Sequence, residues 1–185
     1  DLRVGERDIP PVAVKESRLF WCTLTGLSAE PSRTAHQTAW ELRGRAPLTV
    51  IDLDYRAQFW THESDATRAA ATALTACTVA IGNREECRIA VGETDPERAA
   101  RALLDRGVEL AVVKQGPRGV LAMTADDRVE CPPYDVEVLN GLGAGDAFGG
   151  AICHGLLQGW DLKATVDFAN AAGAHVAAHR ECATA

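Results

Sequence analysis

No run of basic residues longer than two occurs in this 185-residue chain, and its formal net charge is −7. A general nucleic-acid binder would carry a basic patch, so that class is set aside. No stretch approaches the roughly 20 apolar residues that a membrane-spanning helix needs. The opening residues have no apolar signal-peptide core. Methionine occurs once, at Met123, and the first residue is Asp1. The chain is therefore expected to be cut from a longer protein at both ends, with the larger gap N-terminal. No CxxC pair links the six cysteines at positions 22, 77, 87, 131, 153 and 182. That absence excludes a zinc ribbon or a thioredoxin-type motif. Several cysteines sit in apolar runs, as in Phe20-Trp21-Cys22 and Ala151-Ile152-Cys153. They are read as buried free thiols of a cytoplasmic protein. Internal repeats, low-complexity tracts and linkers are also lacking.

What is present is an ordinary apolar share of 46% with 24% charged residues, in a chain long enough for one core. Short β-branched runs alternate with longer helical stretches. Strands are expected at 19–22, 48–54, 78–81, 110–113 and 134–139, and a hairpin of 119–124 with 128–131 turns at Asp126-Asp127. Helices are expected at 32–43, after Pro31, and at 65–76, 95–105, 144–157 and 162–179. Strand and helix alternating through short connections predict a parallel sheet covered on both faces. Such sheets bind ligands at the carboxyl ends of their strands, so chemistry is sought just after each strand.

The richest segment there is Asn140-Gly141-Leu142-Gly143-Ala144-Gly145-Asp146-Ala147-Phe148-Gly149-Gly150, between an expected strand and an expected helix. Glycines bring bare N–H groups close to a ligand. The start of a helix adds unpaired donors and a positive dipole end, which together suit a phosphate. The segment is not GxGxxG, because Asp146 stands where a glycine would be needed, and no GK[ST] follows to make a P-loop. A carboxylate at that helix start is electrostatically favoured. Asp146 would there accept a proton from an attacking hydroxyl while the backbone amides stabilise a transferring phosphoryl group. A helix-start Asp is also a common cap, and from the residues alone both roles are open.

Gly143-Ala144-Gly145-Asp146 resembles the GAGD core of the second signature of the PfkB carbohydrate kinases. The resemblance extends over nearly all 185 residues and implies a ribokinase-like three-layer α/β/α sandwich with a mostly parallel central sheet. It implies that residues 1–185 are the C-terminal, nucleotide-binding and catalytic portion of such a kinase. By it, Asp146 is the base that deprotonates the sugar hydroxyl, and the backbone of Gly143, Ala144 and Gly145 is the anion hole. Asn83 and Glu86 match the family's NxxE motif, which is associated with magnesium; they equally form a capping-box pattern at a helix start. Val112-Val113-Lys114-Gln115-Gly116-Pro117-Arg118-Gly119 resembles the turn beside the ATP phosphates, with Lys114, Gly116 and Gly119 as contacts, although a plain turn explains it too. Asn170 and Gly173 match the helix behind the adenine pocket, where small residues also serve close helix packing. Asp52-Leu53-Asp54-Tyr55-Arg56 with Trp60 resembles the family's DxNxR…W element, Asp54 replacing asparagine. Arg56 then faces the substrate side or forms a surface ion pair worth little.

The cofactors implied are ATP and Mg2+. Many family members carry aspartate where Asn140 stands, and that aspartate helps hold a monovalent cation. Asn140 keeps the carbonyl and loses the charge, which leaves activation by such a cation open. His175 and His179 lie four apart on one helix, but no HExxH glutamate accompanies them, and they are read as structural. The wording of 25–33, 52–56 and 140–146 points within the family to a keto sugar acid acceptor, 5-dehydro-2-deoxygluconate of myo-inositol breakdown. Fructokinase, 2-keto-3-deoxygluconate kinase and a non-catalytic nucleotide-binding module are the alternatives. The expected partners are the sugar and ATP, with no nucleic acid and no membrane; a homodimer is allowed.

Overall fold

The computed structural model describes residues 2–179, and Cys182 lies outside them. Six strands form one sheet in sequence order: β1 (Phe20–Thr23), β2 (Thr49–Asp52), β3 (Val79–Asn83), β4 (Leu110–Lys114), β5 (Val120–Met123) and β6 (Arg128–Cys131). The pairs from β1 to β4 are parallel, and β4–β5 and β5–β6 are antiparallel. Successive strand residues point to opposite faces, and here both faces are covered. Ile51, Ala80 and Val113 pack on one side against α2 (Ser32–Arg43), α3 (Glu63–Ala76), α4 (Arg84–Val91) and α5 (Pro96–Asp105). Their neighbours Val50, Val79 and Val112 pack on the other side against α6 (Ala144–Gln158) and α7 (Leu162–Ala177). The result is the expected three-layer α/β/α arrangement with a mostly parallel sheet. The short helix α1 (Pro11–Glu16) was not among the expected elements, although Pro11 at its first position is a helix-start signal.

The helices begin where short polar side chains satisfy their first amides. The Asp95 carboxylate accepts from Arg98 N–H at 3.0 Å and starts α5, and that of Asp161 accepts from Ala164 N–H at 2.7 Å and starts α7. The hairpin turns where expected, with Thr124 Oγ1 accepting from Asp126 and Asp127 N–H. Its neck depends on Gly119, whose φ is +85°; a side chain there would collide with the Cys131 carbonyl.

One expected strand is absent. Residues 132–140 run as an irregular segment outside the sheet. Their ladder partner is missing: Leu139 and Asn140 N–H both donate to Ala177 O at the end of α7, at 2.9 and 3.1 Å. The apolar–polar alternation of 134–139 therefore reflects residues lying over a helix, with Val138 and Leu139 exposed, and not a half-buried strand.

The described cysteines are free: 22, 77, 87 and 131 are buried and 153 is half-buried. Burial pushes the Cys87 thiol up to about 12 and that of Cys153 to about 11, so both stay protonated near neutrality. A buried carboxylate is the other departure from ordinary titration. Asp52 ends β2 at 8% exposure, and burial raises its pKa to about 6. The Lys114 ammonium lowers it, while Glu86 and Asp54 add to the rise.

A carboxylate whose folded pKa exceeds its unfolded value contributes stability below the unfolded pKa. That contribution is lost as pH rises through the folded value, here about 6. Asp52→Asn is therefore expected to raise stability at pH 8 by on the order of 2 kcal/mol, an advantage that disappears by pH 4. Thermal unfolding across that range, without nucleotide or divalent metal, checks it. An equal effect at both pH values would overturn the assignment.

Candidate active site

Three parallel strands end side by side with polar residues: Asp52 on β2, Asn83 on β3 and Lys114 on β4, where Asn83 and Lys114 are register partners. Lys114 Nζ stands 3.9 Å from Asp52 Oδ1 and 3.8 Å from Glu86 Oε2. One lysine thus bridges two carboxylates that are both nearly buried. Asp52 Oδ1 has no hydrogen-bond partner, so the ammonium balances its charge without satisfying its lone pairs.

Asn83 and Glu86 close a reciprocal cap on α4. Asn83 Oδ1 accepts from the N–H of Glu85 and of Glu86, each at 2.9 Å, and Glu86 Oε2 accepts from Asn83 N–H at 2.6 Å. The capping role is therefore real for both. It commits the Asn83 oxygen to two amides, while Glu86 keeps its second oxygen and its proximity to Lys114.

The start of α6 supplies the next layer. Gly143 is its N-cap with φ +81°, a left-handed conformation that glycine adopts without strain. No side chain caps this end. Ala144 N–H makes only a long 3.4 Å bond to Gly141 O and Ala147 N–H donates to Gly143 O at 2.9 Å, while the amides of Gly145 and Asp146 have no partner among the described residues, so the dipole's positive end is open. Asn140 Oδ1 accepts from Leu142 N–H at 3.0 Å and braces the loop that leads in. Asp146, in the first turn, is exposed and makes no side-chain hydrogen bond among the described residues. Its carboxylate is thus not used as the cap. A β-carbon placed on Gly145 would lie 3.9 Å from Lys114 Nζ, so the lysine also faces this helix start.

A cavity of about 640 Å3 lies beside these groups. Lys114, Gly116, Gly119, Asn170 and Gly173 all line it, together with Ala144 and Gly145 of the helix start. Its apolar walls come from Val120, Val136, Val138 and Phe148, none of which was among the expected site residues. Val136 and Val138 were assigned to a strand; only the docking of 132–140 over α7 turns them to the cavity. Asn170 donates from Nδ2 to Pro132 O at 2.6 Å, so its amide holds that segment in place. Arg56 stands apart from the cavity lining. It pairs with Asp54 at 2.9 Å and is 58% exposed, a surface geometry that contributes little to stability. Asp52 was not among the expected site residues, although an acid ending a buried strand was the signal that could have found it.

Residues 19–185 match the pfkB family carbohydrate kinase profile. The 5-dehydro-2-deoxygluconokinase of Clostridium beijerinckii is 31% identical over 98% of this chain, and that of Photobacterium profundum is 30% identical over all of it. The chain spans 56% and 58% of the length of these two relatives. Among solved structures, aminoimidazole riboside kinase from Salmonella enterica superposes with a TM-score of 0.86 at 25% identity, covering 97% of this chain and 62% of its own. The fold, the glycine-rich helix start and these similarities together lead to one conclusion: this chain belongs to the pfkB family of carbohydrate kinases.

Proposed function

We propose that residues 1–185 are the C-terminal, nucleotide-binding and catalytic portion of an ATP-dependent sugar kinase of the cytoplasm. The acceptor we assign is 5-dehydro-2-deoxygluconate, a keto sugar acid of inositol breakdown, on the strength of the two relatives that carry that name. The observation that carries the reading is Asp146: a carboxylate in the first turn of an uncapped helix, engaged in no bond among the described residues, and next in sequence to Gly145, which lines the 640 Å3 cavity that Asp146 itself does not line. The cavity has the size and apolar walls of a small-molecule site, with Lys114 and Asn170 among its few polar lining groups.

Asp146 is assigned as the base that takes the proton from the acceptor hydroxyl. The amides of Gly143, Ala144 and Gly145, with Lys114, neutralise charge on the phosphoryl group as it transfers. Val120, Val136 and Phe148 enclose the base of the nucleotide, with Gly116 and Gly119 along its phosphates and Asn170 and Gly173 behind it. For a divalent cation the fit is uneven. Glu86 and Asp52 offer hard oxygen donors, one of them unpartnered and buried, whereas the Asn83 oxygen is occupied by two amides. Mg2+ keeps most of its waters and takes few protein ligands, so Glu86 and Asp52 would hold it through water and Asn83 would act through the cap. When bound, the ion supplies charge neutralisation at the phosphates. Arg56, exposed on the loop after β2, is assigned to the acceptor side.

A coupled ADP-release assay on the full-length protein with a panel of sugars and sugar acids tests this reading. One acceptor is expected to drive turnover, and Asp146→Asn to lower kcat about 10²–10⁴-fold while ATP still binds. Equal activity in the variant, or no turnover with any sugar, would reduce the segment to a binding loop. Lys114→Met is expected to weaken ATP binding by roughly 10–100-fold, the loss of one charge-assisted phosphate contact. Titration calorimetry measures it, and unchanged affinity would remove Lys114 from the phosphate site.

A further inference from the structure

Lys114 is held between two acids at almost equal range, 3.9 Å from Asp52 Oδ1 and 3.8 Å from Glu86 Oε2. Both separations exceed the length of an N–H···O bond, so neither acid fills one of the three ammonium donors. Strand alternation explains the direction of Asp52 and Lys114. They follow Val50 and Val112, which pack toward α6 and α7, and so turn to that same face. Lys114 Nζ there stands 3.9 Å from where a Gly145 β-carbon would be, beside the open start of α6.

Asp52 has no structural task that accounts for it. The cap of α4 uses Asn83 and Glu86 and leaves Asp52 out. Its Oδ1 is buried without a hydrogen-bond partner, and the cation that it faces is Lys114. Burial opposes its ionisation, so the acid costs stability once it is charged. Buried groups that oppose folding concentrate at functional sites. Yet Asp52 is not in the lining of the 640 Å3 cavity, whereas Lys114 is. Its route to a bound nucleotide therefore runs through the lysine. With the Asp52 charge removed, the ammonium would close on Glu86 to an ion-pair distance of about 2.8 Å, a shift on the order of 1 Å.

We infer that Asp52 is a positioning residue: its pull against that of Glu86 keeps Lys114 beside the first turn of α6, with the ammonium donors open to the phosphoryl group. The inference rests on the kinase reading and adds to it how the lysine is aimed.

Pulsed acetylation by acetic anhydride, read by mass spectrometry on the full-length protein with and without saturating ATP and Mg2+, tests this without turnover. Lys15 and Lys163, exposed on α1 and α7, are the internal references. Nucleotide is expected to protect Lys114 at least about tenfold in the parent and less than about threefold in Asp52→Asn, where Glu86 already shields the lysine. No protection in the parent would overturn the phosphate site and this inference with it. Equal protection in parent and variant would overturn this inference alone.

Turnover supplies the second readout. A misplacement of about 1 Å costs up to roughly 10²-fold in rate, so Asp52→Asn is expected to lower kcat roughly 10–100-fold. The Kd for ATP should change less than about threefold, because a repelling charge is lost together with the contact. Stability at pH 8 should not fall, which separates the loss from a folding defect. In Lys114→Met, adding Asp52→Asn should change kcat less than about twofold. A parent-like kcat in Asp52→Asn would overturn the inference. So would a full effect of Asp52→Asn in the Lys114→Met background, which would assign the acid to the divalent cation instead.

Discussion

Burial of the parallel strands on both faces is the constraint from which the site follows. With Val50 and Ile51, or Val112 and Val113, committed to opposite apolar layers, the strand interiors have no room for polar groups. Polar residues are displaced to the strand ends, and parallel register brings those ends together. Asp52, Asn83 and Lys114 are neighbours because their strands are hydrogen-bonded in parallel, although they are far apart along the chain. The cost of that concentration is visible in Asp52, where desolvation outweighs the attraction of the lysine and drives the pKa up to about 6.

Residues proposed for the chemistry also serve the structure. Asn83 and Glu86 start α4 through a reciprocal cap, and the cap fixes Glu86 where it meets Lys114. Gly143 ends the incoming loop in a left-handed turn and leaves the α6 amides without a side-chain cap. A helix end that folds without a cap retains unsatisfied donors, and those donors are what a phosphate needs. Structural and functional readings of these motifs are therefore not rivals here. The exception is Asp146, whose carboxylate takes no part in capping.

The 640 Å3 cavity depends on how a segment without secondary structure is anchored. Residues 132–140 are held over α7 by two amides donating to Ala177 O and by the Asn170 side chain on Pro132 O. Close approach of α7 to the start of α6 is allowed at Gly173, where an added β-carbon would stand 3.3 Å from Ala144 O. Tertiary contacts, and not local propensity, thus give the cavity one of its walls.

The sequence by itself determined the layer order, the strand and helix alternation, the β5–β6 hairpin and the glycine-rich helix start. Each of these rests on local chemistry: β-branched runs, caps such as Asp95 and Asp161, and glycines that permit particular turns. It also carried the motifs on which the proposed site rests, with Lys114, Gly116, Gly119, Asp146, Asn170 and Gly173 recognisable in that order along the chain. Tertiary structure decided the rest. It moved 134–139 out of the sheet, because the alternation of apolar residues is the same for a strand and for a segment lying on a helix. It sent Arg56 to a surface pair with Asp54, and it raised the pKa of Asp52. Distances between strand ends and the desolvation of a carboxylate arise from residues remote in sequence, and no local pattern carries them.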